Sequence, residues 1–295
     1  MFWQVVSTGT KLELLRRLHD AGVRHFDVAS FANPKLVPQL ADGVELLRMI
    51  ADDPVLTTDA SLTAIVPNMR GLERFLLSVD QLGLKNCSVS IWVHASEAFS
   101  QKNMGCSVSE HMASNRVMAE ALVGSGVRLR AYVSGALHCP FSGPIKADRV
   151  GELAEQLVDA AGTVPVEEIV LADTLGRGLV DEVRLAIMAT QKRVKVPLGL
   201  HLHNTFGYAL GVISMAVSEL GVRSLEGSVA GLGGCPFAGA TSLGNVATED
   251  VASMLHQMDF ETGVDVGKLV QVGKWICGEV GVQQTSCVSR LKQIL

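Results

Sequence analysis

The chain reads as an α/β protein of the TIM (β/α)8-barrel type. Three features carry that expectation. Short apolar strands alternate with longer amphipathic segments, the alternation recurs roughly every 25–40 residues, and no Pro- or Ser-rich linker interrupts it. A doubly wound open sheet would show the same alternation and is the alternative. Residues 1–295 are expected to form a single barrel domain with C-terminal helices.

Seven segments have strand character: "HFDVAS" (25–30), "SLTAIVP" (61–67), "CSVSIWVHA" (87–95), "RLRAYVSGAL" (128–137), "EIVLADT" (168–174), "LGLHLHN" (198–204) and "SLEGSVAG" (224–231). Between them, "TKLELLRRLHDAG" (10–22), "DRVGELAEQLVDAAG" (148–162) and "ALGVISMAVSELG" (209–221) space their apolar residues as helices do. Thr10 and Glu13 fit a capping box, and Gly22 fits a helix stop. Seven strands are one short of a closed barrel. "FWQVV" (2–6) is strand-like in composition, yet its place directly before the capping box suits a strand-to-helix loop. The first barrel strand is therefore expected to be missing from this chain.

Hydrophobic residues make up 48% of the chain and charged residues 19%, enough apolar surface for a barrel-sized core. A net charge of −5 and the lack of any Lys/Arg run argue against a nucleic-acid partner. No apolar stretch reaches the roughly 18–20 residues of a membrane span, and the start, "MFWQVVSTGT", does not read as a signal peptide. The six cysteines (87, 106, 139, 235, 277 and 287) form no CxxC pair. A zinc-finger or disulfide scaffold is not expected, and reduced thiols in a cytoplasmic compartment are.

In such a barrel the chemistry sits at the C-terminal ends of the strands. The polar residues there are Asp27, Ser30, His94, Ser134, Asp173, Thr174, His201 and His203. His201 and His203, two apart in a strand, project to one side and form a natural pair of metal ligands. Core histidines held by hydrogen bonds are the alternative. Cys235 lies between Gly and Pro in a loop, where a thiol can be reached; the other cysteines read as core filling. Asp173 serves either as an active-site carboxylate or as the cap of the helix after "DTLGRG". Asn245 serves equally as an ordinary N-cap before "VATEDVASML".

"SVAGLGGCPFA" (228–238) with "GNVATED" (244–250) closely resembles the signature of the 3-hydroxy-3-methylglutaryl-CoA lyase family. The same holds for "HLHNTFGYAL" (201–210), "LADTLGRG" (171–178), "SFANPKLVPQLAD" (30–42), "SEAFSQKNMGCSVSE" (96–110) and "YVSGALHCPFSG" (132–143), so the similarity spans essentially the whole chain. The resemblance implies a barrel carrying a divalent cation, Mg²⁺ or Mn²⁺, at its strand ends. It implies metal binding by His201, His203 and Asn245, catalysis by Cys235, His201 and Asp173, and substrate contacts from Asp27 and Ser30. It further implies an acyl-CoA substrate, a homodimer, and cleavage of that substrate to acetoacetate and acetyl-CoA in leucine degradation and ketone-body formation.

This sequence departs from the family's pattern in three places. The strand-two glutamate is shortened to Asp27, and "CPFAGATSLGN" carries one residue more than expected between Cys235 and Asn245. The family's R-D-G-L-Q motif, whose Asp binds metal and whose Arg contacts substrate, has no counterpart, because "VVSTGTKLELL" (5–15) aligns just after it. The competing expectations are a lyase whose first strand lies upstream of Met1, a catalytically impaired short form acting by binding or association, and a lyase for a longer branched 3-hydroxyglutaryl-CoA.

Overall fold

A computed structural model describes residues 5–35, 37–234 and 244–291. Helix α1 (Thr8–Asp20) leads into strand β1 (His25–Ser30), followed by α2 (Gly43–Ala51), α3 (Pro54–Asp59), β2 (Ser61–Ile65), α4 (Met69–Leu82) and β3 (Cys87–His94). Then come α5 (Glu97–Met104), α6 (Val108–Leu122), β4 (Arg128–Ser134), a short hairpin of β5 (His138–Cys139) and β6 (Gly143–Pro144), α7 (Ala147–Ala161) and β7 (Val166–Asp173). The chain continues through α8 (Val180–Arg193), β8 (Leu198–Leu202), α9 (Ala209–Glu219), β9 (Ser224–Glu226), α10 (Thr248–Gln257) and α11 (Val266–Glu279).

Each of the seven expected strand segments contributes to one parallel sheet, in the order β1-β2-β3-β4-β7-β8-β9. That order follows the chain without reversal. A doubly wound sheet reverses at its switch point, so this alternative falls, and the sheet is a curled, barrel-type one. Among the described residues β1 and β9 do not pair with each other, which leaves the sheet open between its first and last strands. Val5 and Val6 form no strand, and the rest of "FWQVV" lies outside the described residues.

One set of strand side chains packs outward on the helices. Val89, Ile91, Val93, Leu129, Ala131, Val133, Ile169 and Leu171 are all completely buried there. Each large apolar side chain buried this way contributes about 1.5–3 kcal/mol. The helices meet them with matching stripes, as α7 does with Val150, Leu153, Ala154 and Leu157.

Two local expectations are corrected. α1 is capped by Ser7, whose hydroxyl accepts the Thr10 N–H at 3.1 Å, so the helix starts a turn-fraction earlier than the Thr10–Glu13 box implies. Glu13 is thereby freed to pair with Arg17 one turn on, at 2.7 Å. Strand β9 stops at Glu226 rather than continuing to 231, because a 3-10 turn at Val229–Gly231 takes over the chain. Gly22 does end α1's excursion: its φ of +99° and a Cβ that would sit 2.1 Å from the Gly263 carbonyl oxygen admit no side chain.

Candidate active site

Register-paired residues of neighbouring parallel strands point to the same face. Asp27 pairs with Thr63, Arg130 with Glu168, and His201 with Glu226, and these six line the inner face of the curled sheet. A register shift between Asp27 and Ala29 brings Ser30 opposite Ile65, two residues beyond Thr63. That bulge puts Asp27 and Ser30 on one face although they are three residues apart.

The lumen is organised around one cation. Arg130 contacts Glu168 at 2.5 Å, Glu226 at 2.6 Å and Asp27 at 3.4 Å. Tyr132 donates its hydroxyl to Glu226 at 2.5 Å, and the other Glu226 oxygen lies 2.9 Å from His201 Nδ1. With a carboxylate as acceptor, Nδ1 carries the proton, and Nε2 is the His201 nitrogen left to face a ligand. Burial alone would raise the Glu226 pKa, but the His201 hydrogen bond and charge, with Arg130, hold it well below the ordinary carboxylate range. Burial would lower His201, and Glu226 outweighs it, so the imidazole's pKa is raised. Asp27 moves upward, through its depth in the lumen and then the repulsion of Glu226; its side chain nonetheless stays 44% exposed to lumen water.

His203 stands beside this network, with its ring centroid 5.4 Å from that of His201. Its backbone forms an antiparallel bridge with Asn245, and Asn204 N–H and Val246 N–H complete the seam to Gly244 and Leu202. Asn245 donates its amide to the Leu232 carbonyl at 3.0 Å, while its side-chain oxygen is buried with no hydrogen-bond partner. It does not cap α10, whose N-cap is Ala247. An orphaned amide oxygen beside two histidines is a donor set that fits a divalent cation. Among the described residues, no group of three or more His, Cys, Asp or Glu is arranged to hold a metal on its own.

Asp173, 4% exposed, accepts Gly176 N–H at 3.0 Å and Gly178 N–H at 2.7 Å, one on each oxygen. It holds the "DTLGRG" turn rather than capping α8, which begins after Leu179. Its burial raises its pKa against those two donors. Ser30 accepts the Ala32 N–H at 3.3 Å. Cys235 lies outside the described residues. Of the other cysteines, Cys87, Cys139 and Cys277 are buried and Cys287 is exposed, so core filling does not cover them all.

Arg130, Tyr132, Glu168 and Glu226 were not among the expected site residues. For Arg130 and Tyr132 the signal is present in the sequence, as charged or phenolic residues alternating with Leu129, Ala131 and Val133 along β4; Glu168 and Glu226 carry no such pattern.

Fold and lumen together define a barrel-type protein whose polar groups converge on the inner face of its sheet. The HMGL-like family model matches residues 3–276, and the chain belongs to this family. The hydroxymethylglutaryl-CoA lyase of Pseudomonas mevalonii is 35% identical over 284 residues, covering 96% of this chain and 89% of that protein. The 3-hydroxy-3-isohexenylglutaryl-CoA/hydroxymethylglutaryl-CoA lyase of Pseudomonas aeruginosa is 37% identical over 280 residues, covering 94% and 88%. Among solved structures, an HMG-CoA lyase from Acinetobacter baumannii in complex with coenzyme A and 3-methylmalate matches with a TM-score of 0.87 and 26% identity, covering 99% of this chain and 91% of that one.

Proposed function

We propose that the chain is a carbon–carbon lyase that cleaves 3-hydroxy-3-methylglutaryl-CoA to acetoacetate and acetyl-CoA. The observation that carries this is the similarity to curated lyases along nearly the whole of both chains. In the retro-Claisen step the tertiary hydroxyl loses its proton as the C2–C3 bond breaks. Its oxygen becomes the ketone of acetoacetate, and the thioester enolate takes a proton at C2 to become acetyl-CoA.

His201 Nε2, His203 and the Asn245 side-chain oxygen are the groups to hold a divalent cation, Mg²⁺ or Mn²⁺; when bound, it would polarise the substrate hydroxyl and make its proton easier to remove. Because Glu226 occupies Nδ1, His201 has one nitrogen to offer, either to the cation or to the proton. The lumen-exposed Asp27, whose pKa is raised to about 7, is the carboxylate able to move that proton at neutral pH, and Asp173 is the second carboxylate assigned to the reaction. Asp27 and Ser30 face the substrate, and Cys235 is assigned the protonation of the enolate. Homodimerisation is part of the proposal, supported by the edges of β1 and β9 that stay unpaired among the described residues. No helix among the described residues is long and apolar enough to cross a membrane. A cytoplasmic location is in keeping with the cysteines among the described residues, which are all free thiols.

The test is to incubate the chain with 3-hydroxy-3-methylglutaryl-CoA and Mg²⁺ or Mn²⁺ and quantify both products. Equal amounts of acetoacetate and acetyl-CoA are expected, and substrate surviving intact would refute the assignment. A second reading, a longer branched acyl group, is favoured by the similarity to the isohexenylglutaryl-CoA lyase. A higher kcat/KM for that substrate would select it.

A further inference from the structure

Two stems flank residues 235–243, and their described parts meet at Ala230–Gly234 and Gly244–Asn245. Ala230 is 1% exposed and left-handed, with φ +60°, a conformation that costs a non-glycine residue free energy and persists only where its surroundings impose it. Both of its backbone groups are captured. Its N–H reaches the two Glu249 oxygens at 3.0 Å each, and its carbonyl accepts from Thr285 N–H at 3.1 Å and Thr285 Oγ1 at 3.0 Å.

Thr285 belongs to a C-terminal segment with little regular structure, and Asp250 anchors that segment. Asp250 accepts from Ser286 Oγ at 2.7 Å and from the N–H groups of Cys287 and Val288 at 2.9 Å each. Ser289 Oγ reaches back to Glu249 at 3.3 Å. Neighbouring carboxylates of α10 thus divide the work: Glu249 holds Ala230, and Asp250 holds the segment that also holds Ala230. The fit beyond is tight. A Cβ on Gly231 would meet Thr285 Oγ1 at 2.2 Å, and one on Gly244 would meet the Gly231 and Gly233 carbonyl oxygens at 2.3 and 2.6 Å. The Asn245 side chain closes the pair of stems through Leu232.

We propose that residues 284–289 form a strap, anchored on Asp250, that together with Glu249 locks Ala230 in its left-handed state and thereby sets the position of the stem that carries Asn245's partner, Leu232. Thr285 is a positioning residue: it touches no substrate and acts through Ala230. The link from strap to turnover rests on the lyase assignment; the link from strap to stem does not.

The test uses the full chain with Thr285→Val, which keeps the shape and removes the hydroxyl donor, Thr285→Ser, which restores the donor, and Asp250→Asn, which loosens the anchor. Hydrogen exchange at residues 230–234 is read against β7 and β8, alongside Mn²⁺ affinity and a kcat-against-KM comparison. Losing one hydrogen bond to a buried partner corresponds to roughly tenfold faster local opening. Thr285→Val is expected to accelerate exchange about tenfold at 230–234 while β7 and β8 keep their protection, to weaken Mn²⁺ binding, and to lower kcat more than it raises KM. Thr285→Ser is expected to restore all three. Exchange at 230–234 unchanged in both Thr285→Val and Asp250→Asn would overturn the strap. Should Asp250→Asn unfold the chain, Thr285→Val alone decides. If the wild type cleaves no acyl-CoA, the lyase assignment falls while the exchange result still decides the strap.

Discussion

Glu226 is the side chain on which the lumen network converges, and its removal has a calculable cost. Truncation to Ala leaves three donors without this acceptor: Arg130 at 2.6 Å, Tyr132 at 2.5 Å and His201 Nδ1 at 2.9 Å. Breaking one partner out of a buried charge pair costs about 3–5 kcal/mol. Arg130 keeps Glu168 at 2.5 Å, and the Glu226 side chain is itself 15% exposed, so the lower end applies. Glu226→Ala is expected to destabilise the fold by about 3 kcal/mol, and Glu226→Gln, which preserves the shape, by about 1–2 kcal/mol. His201 also loses the group that fixes its tautomer, and loss of such a support typically weakens metal binding 10–100-fold. Urea unfolding at pH 7 measures the first effect and Mn²⁺ titration the second. Glu226→Ala within about 0.5 kcal/mol of wild type, with unaltered Mn²⁺ affinity, would refute the network as the organiser of the site.

Other consequences are as direct. His94, 2% exposed, is pushed down to about 4 by burial and then by His111, so it folds in the neutral state while the unfolded chain takes up a proton below about 6.5. The unfolded state then binds more protons, so stability falls as pH drops through 6.5 and levels off near 4, by about 3 kcal/mol in all. Denaturation midpoints at pH 7 and 4.5 measure this, and a slope that survives in His94→Leu would disprove the attribution. His203→Ala is expected to weaken Mn²⁺ binding, and unchanged metal content would return the histidine pair to a purely structural role. Cys235→Ala is expected to cut turnover by orders of magnitude with an unaltered circular dichroism spectrum; near-normal turnover would remove the thiol from the reaction.

Much of the fold was legible in the sequence because apolar-rich runs such as those of β3, β7 and β8, and the alternation along β4, are separated by helical patterns. The boundaries were less so. Ser7 competes with Thr10 for the same helix start, and only the chain's approach to α1 decides between two hydroxyls three residues apart. The histidine pair and Asn245 could be picked out because they are polar residues at strand ends or in a glycine-rich loop. Arg130 and Glu226 were harder to see, since their roles depend on which strands become neighbours. Arg130 meets Glu226 across 96 residues of sequence, a distance that no local pattern bridges. Asp173 shows the converse: its position was visible, but the Gly176 and Gly178 amides that hold it appear only once the turn is built.

The most direct measurement is acetoacetate release from 3-hydroxy-3-methylglutaryl-CoA with and without Mg²⁺ or Mn²⁺, by this chain and by its His203→Ala variant. Metal-dependent release that His203→Ala abolishes is expected. No product from the folded, metal-loaded chain would contradict the assignment of this site as a lyase centre.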